Sequence, residues 1–314
     1  MKLIILTILF CLVWISAFCA TLNVPENYPT IHAAITASSA GDEIVVIPGL
    51  YEEHDVVIES AIVIKSAVPG EQVVIDAQGL GSVLIINTNG SVGLFDLGVV
   101  NGDIGVLVQN TNANSVSLER CTVSGNETYG IISGADNWTS VNLHNCVVSQ
   151  NNGIGVFIQS FTPCQISNSE ISGNADSGLF VVGAILECRD TIISDNTGQY
   201  NGGMSLVGCS AELVNVVFSG NIATIEGGGL AIWGAGTYFL ESCSFSNCSA
   251  PVGAQVYLEN EPGYTINSTF NCCEIDTSQF GGPVWDSGLV QITEVGCEVS
   301  TDRRTWGSVK GLYR

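Results

Sequence analysis

The sequence predicts an all-β solenoid, and three observations carry that prediction. One phrase recurs, as Leu118-Glu-Arg-Cys-Thr-Val-Ser-Gly-Asn126, Leu143-His-Asn-Cys-Val-Val-Ser-Gln-Asn151 and Ile166-Ser-Asn-Ser-Glu-Ile-Ser-Gly-Asn174, with further copies ending at Asn196 and Asn221. These Asn are 25, 23, 22 and 25 residues apart, a period that marks stacked structural repeats. Each copy holds short runs of β-branched and apolar residues, such as Thr122-Val123, Gly130-Ile131-Ile132 and Val141-Asn-Leu143, parted by Asn, Gly, Ser and Asp. A unit of this size cannot bury its own apolar residues, so it must stack on its neighbours.

The elements follow in order. Residues 1–20 read as a secretory signal peptide, with basic Lys2, an apolar run to Phe18 and a small-residue exit at Ala20. Residues 21–41 read as an N-terminal cap, in which Thr30 caps a short helix with Ile31, Ala34 and Ile35 on its apolar side and Gly41 ends it. Residues 42–285 read as the solenoid. Its first coil is expected to hold Glu43 to Ile47, Val56 to Ile58 and Ile62 to Ile64, with Pro48-Gly49 as a turn. The second coil is expected to hold Val73 to Ile75, Val83 to Ile86 and Val92 to Phe95. Asn101 lies one period before Asn126, and Cys248 takes the Asn slot after Asn221. Residues 286–314 lack the repeat and read as a C-terminal cap or tail, with Cys297 a partner for Cys272 or Cys273.

Within the phrase, strand alternation puts Cys121 and Val123, Cys146 and Val148, Ser169 and Ile171 on one inward face. Asn126, Asn151, Asn174, Asn196 and Asn221 then form a structural ladder at the turn, since an amide can bond its equivalent one coil away and Asn tolerates left-handed backbone. A parallel Ser ladder runs from Ser124 to Ser246.

Thr30-Ile-His-Ala-Ala-Ile35 followed by Gly41-Asp-Glu-Ile-Val-Val-Ile-Pro-Gly-Leu-Tyr-Glu-Glu53 resembles the opening segment of the right-handed parallel β-helix proteins of the pectin-lyase-like superfamily. The Ser-Gly-Asn coils resemble that superfamily's repeats. The resemblance implies a right-handed parallel β-helix of about ten coils, each adding one strand to each of three sheets. It also implies equipment to look for, because many members cut pectic polysaccharides. The Asp cluster with a neighbouring base of a pectate lyase is not found in register. The Asn-Thr-Asp, Gly-His-Gly and Arg-Ile-Lys motifs of polygalacturonases and the Gly-Arg-Pro-Trp of pectin methylesterases are absent. A fold without the site does not carry the activity. The expectation is therefore a secreted, non-catalytic binding or adhesion module, with a lyase or glycoside hydrolase of unrecognised site as the alternative.

Charge narrows the partners. Past the leader the chain keeps 30 carboxylates against seven Lys and Arg, a charge of about −23 that disfavours nucleic acid. A polysaccharide or cell-surface component is the expected partner, the chain is expected to act as a monomer, and no membrane span is expected once the leader is removed. No cofactor is expected, calcium excepted, for which Glu52, Glu53 and Asp55 are candidate oxygen ligands. Ten Cys remain past the leader. Stacked positions lie about 4.8 Å apart, within reach of a disulfide, so Cys121 with Cys146 and Cys248 with Cys273 are either bridges or buried thiols. Glu119 and His144 share one outward slot of adjacent coils, as an acid–base pair or a solvated surface pair. Trp138 and Phe161 occupy equivalent variable connections, where their rings either stack on sugar faces or cover the edge of the core.

Overall fold

The computed structural model describes residues 19–109, 115–259, 266–274, 280–281 and 290–295. The leader to residue 18, most of the tail and Cys297 lie outside them. Turn residues every few positions keep the β-branched runs short, and such runs find backbone partners only in the neighbouring coil. The result is three parallel sheets of 12, 9 and 10 strands, with about nine turns carrying all three. One coil shows the plan. Ser115–Glu119 lies in the first sheet, Thr122–Ser124 in the second and Tyr129–Asn137 in the third. Register passes from coil to coil, Val116 on Val141, Val123 on Val148 and Ile131 on Val156, with a shift after Ser133 in the last of these pairs.

The helix Ile31–Ala37 covers the first coil as expected, with Thr30 Oγ1 accepting from Ala33 N at 3.0 Å and Ile31, Ala34 and Ile35 buried. The boundaries differ from expectation in four places. Thr21–Val24 already belongs to the first sheet, paired with Glu43–Val46. Val63–Ser66 opens the second coil instead of closing the first, because it pairs with Glu43–Val46. The strand between them is Gly49–Glu52, which pairs with Val73–Asp76 and was masked in the sequence by its Pro48-Gly49 start and exposed Leu50. At the far end Val290–Val295 pairs with Ile266–Asn271, so the solenoid runs beyond residue 285.

The inward slots fill as alternation requires. Cys121, Val123, Cys146, Val148, Ile171, Ile193 and Phe218 are all buried, and Phe218 stacks on Phe245 with ring centroids 4.6 Å apart. The five ladder Asn are buried, and each side chain is satisfied. Asn151 Nδ2 donates to Asn174 Oδ1 at 2.9 Å and to Val123 O at 3.3 Å, while Asn151 Oδ1 accepts from Asn126 Nδ2 at 2.9 Å and Asn126 N at 3.1 Å. Buried amides so paired avoid the cost of an orphaned polar group. The glycine that follows each ladder Asn is needed for close approach: a Cβ on Gly155 would stand 2.6 Å from Asn174 Nδ2.

Two details of the ladder reading are corrected. The left-handed residue is the one before each Asn, as at Gly125, Gln150, Gly173, Asp195 and Gly220, and not the Asn itself. Asn101 holds that preceding position, so Gly102 occupies the ladder slot and donates its N–H to Asn126 Oδ1 at 2.9 Å. Ser124, Ser149 and Ser172 stand on the outward face beside the ladder, only part-buried. Cys248 does end the Asn ladder, with Asn221 Nδ2 at 3.9 Å from its Sγ.

The cysteine pairing is corrected in register at one place, and of the two states expected it is the thiol. Cys121 stacks on Cys146, and both are free thiols. Cys248 does not stack on Cys273. Ser244 bridges to Glu274, which sets Cys273 on Cys243 instead. Both Cys248 and Cys273 are free thiols as well. The spacing of 25 misled because this coil is 30 residues long, from Cys243 to Cys273. Cys273 being free also leaves Cys272 as the only partner expected for Cys297.

Candidate functional site

The outer face of the first sheet assembles the site. Alternation that sends Leu118, Leu143, Ile166 and Cys188 inward sends their neighbours out, in three parallel columns. One column runs Ser140, Pro163, Ile185, Ser210; the next runs Asn142, Gln165, Glu187, Glu212, Phe239; the third runs Glu119, His144, Ser167, Arg189. Over the middle coils they bound an open groove of about 540 Å3, lined by Pro163, Gln165, Ile185, Glu187, Glu212 and Phe239 among others.

The corner that leads into this sheet explains where the groove opens. Trp138, Phe161, Gly183 and Gly208 stand in the same position, each two residues before its strand register point. Trp138 and Phe161 are 53% and 54% exposed, with ring centroids 5.5 Å apart and tilted by 45°. Rings that merely sealed the core edge would be buried, so the exposure favours a surface role. In the next two coils glycine carries no side chain, and the wall formed by the rings drops into the groove beside Ile185 and Ser210. The connection around Trp138 is tighter than expected. The extra residues of this coil are absorbed by a register shift between Ser133 and Asn137 within the strand Tyr129–Asn137.

The floor is a charged network. Arg189 Nε donates to Glu187 and its Nη2 to Glu212 Oε1 at 2.7 Å, while Gln165 Nε2 donates to Glu187 Oε2 at 3.1 Å. The Arg189 guanidinium holds the Glu187 carboxyl below the usual carboxylate range, and its own pKa is raised by the two carboxylates. Neither group is poised to hand over a proton near neutral pH.

Of the two readings of Glu119 and His144, the side-chain contacts do not bring the two groups together as an acid–base pair. Glu119 and His144 are in register, but Arg120 draws Glu119 aside while also bonding Asp96 through Nε at 2.7 Å. His144 Nδ1 faces Ser167 Oγ at 2.8 Å on the opposite side. The calcium candidates also part. Glu53 accepts from Ile31 N and His32 N, both at 2.8 Å, and so caps the helix. Asp55 Oδ1 accepts from Ser82 N at 3.0 Å, and its Oδ2 lies 3.0 Å from His54 Nδ1. Among the described residues no three of His, Cys, Asp and Glu converge where a metal ion could sit.

The family model for the right-handed beta helix region matches residues 50–185 and 81–250. The chain belongs to that family. Its β-helix has the pectin-lyase-like fold. A pectate lyase, Pel9A, superposes with a TM-score of 0.57 at 14% identity, covering 87% of this chain and 81% of that one. The ORF18 protein of Geobacillus virus E2 superposes with a TM-score of 0.58 at 14% identity, covering 87% of this chain and 59% of that one. At such identity both likenesses speak for the fold alone. A search of curated proteins finds no match. Among the described residues no helix of the β-helix protein is long and apolar enough to cross a membrane.

Sequence reasoning named Trp138 and Phe161 but missed Ile185, Glu187, Glu212 and Phe239. Their signal lies in the outward positions of the same strands, for Glu187, Glu212 and Phe239 two residues before the slot of Glu119 and His144.

Proposed function

We propose that this chain is an exported, non-catalytic β-helix that binds a polysaccharide across the outer face of its first sheet, as a surface or extracellular adhesion module. The observation that carries the reading is a groove with a hydrogen-bonding floor that starts at Pro163, two residues after Phe161, whose exposed ring pairs with Trp138 of the preceding coil. Flat rings suit sugar faces, and the Gln165, Glu187 and Glu212 side chains suit hydroxyls. The floor carries two carboxylates against one guanidinium, on a chain of net charge −22. A neutral glycan is the ligand this favours, with polygalacturonate bound only when calcium bridges the like charges.

Glycan-array binding by wild type and Trp138→Ala, with and without a chelator, tests this. Neutral glycans should bind in either condition, and Trp138→Ala should weaken them about tenfold, the equivalent of ~1.4 kcal/mol. Tight calcium-independent binding to polygalacturonate would remove the electrostatic argument.

A second reading, a polysaccharide-active enzyme, is favoured by Glu187 and Glu212 lying together in the groove. Against it, both are held by Arg189, and a glycosidase needs one carboxyl kept protonated as an acid. Release of reducing ends or of unsaturated products over a polysaccharide panel would decide for the enzyme.

A further inference from the structure

Among the described residues two pairs of free thiols are stacked, and they differ in one respect. Cys121 and Cys146 are both buried, 1% exposed. Cys243 is fully buried, but Cys273 is only half-buried, at the last coil where the Ser–Asn phrase stops. In both pairs the side chains point the same way. Cys121 and Cys146 Sγ lie 3.4 Å from Leu94 O and Leu118 O, and Cys243 and Cys273 Sγ lie 3.4 and 3.6 Å from Leu213 O and Leu240 O. Parallel stacking sets the Cα atoms about 4.8 Å apart, inside the disulfide range, and leaves the Cβ atoms to close by a few tenths of an ångström.

We propose that Cys243 and Cys273 form a cross-coil disulfide that staples the last coil to the solenoid, made by thiol–disulfide exchange in which Cys273 is the attacking thiol. The Cys273 thiolate attacks one sulfur of an external disulfide, whose S–S bond breaks and whose other half leaves as a thiolate. The mixed disulfide on Cys273 is then attacked by the Cys243 sulfur, its proton passing to the departing thiolate. The second external thiol is expelled. Two protein thiols are oxidised and one external disulfide is reduced to two thiols. The stacked neighbour pulls the Cys273 thiol below its ordinary value, while that neighbour and burial push Cys243 up, so the reachable member is also the one that ionises more readily. Cys272 is exposed at a left-handed corner and is not the partner.

The test uses purified, reduced full-length protein titrated with oxidised glutathione, followed by peptide mapping without reduction. It does not depend on export or on glycan binding. The expected result is a Cys243–Cys273 linkage in the wild type, with Cys121 and Cys146 still reduced in the native protein. Cys243→Ser should instead accumulate the glutathione adduct on Cys273. Amide exchange over 266–271 should slow about tenfold on oxidation, as closing the loop holds the last coil in place. A glutathione adduct persisting on Cys273 in the wild type, a bridge from Cys243 to Cys272, or oxidation of Cys121–Cys146 ahead of this pair would overturn the proposal.

Discussion

At the residue scale the ladder asparagines hold the coils together from within. Asn151 donates to and accepts from both neighbouring coils while buried. Asn151→Leu fills the same space but strands donors and acceptors on Asn126, Asn174 and the backbone. A loss of about 3 kcal/mol follows from two or three buried polar groups left unpaired, to be read from urea melts. Gly155→Ala acts on the same ladder from the other side. Its Cβ meets the Asn174 amide and the Gly178 carbonyl, at 2.6 and 2.7 Å, and neither can retreat within a stacked turn. A lower melting temperature with an unchanged far-UV spectrum is expected.

At the element scale the corners and the outer face of the first sheet decide chemistry. The Asp96 side chain, 4% exposed, accepts from Arg120 and from Gly70 N at 3.2 Å. The Arg120 hydrogen bond is the main reason that its carboxyl lies below the ordinary 3.8, burial acting against it. A carboxylate whose folded pKa is depressed stabilises above its unfolded pKa and loses that contribution as pH falls through the folded value. The wild type should therefore lose melting temperature below about pH 4, and Asp96→Asn should lose less over the same range. Thermal scans between neutral and acid pH compare the two slopes. On the same sheet Phe239→Ala opens the far side of the groove from Trp138. It should weaken a glycan ligand by severalfold, measured by calorimetry, while leaving the melting temperature nearly unchanged, because Phe239 is only part-buried.

At the scale of the whole molecule the β-helix is a one-dimensional stack, each coil bonded to the coil before and the coil after. Stability in such a stack is close to a sum over coils and their interfaces. Removing residues 152–174, one full period, should leave a shorter rod that melts cooperatively at a lower temperature. Removing 152–163 should not fold, because it shifts the phase of every inward position after the cut. Circular dichroism and melting of the two deletions separate these outcomes. The first deletion also removes Phe161 and Pro163, so the shortened rod should fold without binding glycan.

The repeat alone was enough to determine the stack, the inward Cys and Val slots and the Asn ladder, because each rests on a local phrase whose period copies itself from coil to coil, and the helical cap was legible from its own Thr30 cap and apolar side. Three matters were decided only by tertiary structure. Glu119 and His144 are neighbours by register, yet a left-handed corner at Arg120 brings a guanidinium between Glu119 and Asp96 of the preceding coil. Cys273 meets Cys243 and not Cys248, because coil length varies from 20 to 30 residues and only strand pairing decides which positions stack. The groove brings together Pro163, Ile185, Glu212 and Phe239 from four strands far apart in sequence. A period specifies which positions stack; which outward side chains then meet depends on rotamers and corner geometry that no single repeat contains.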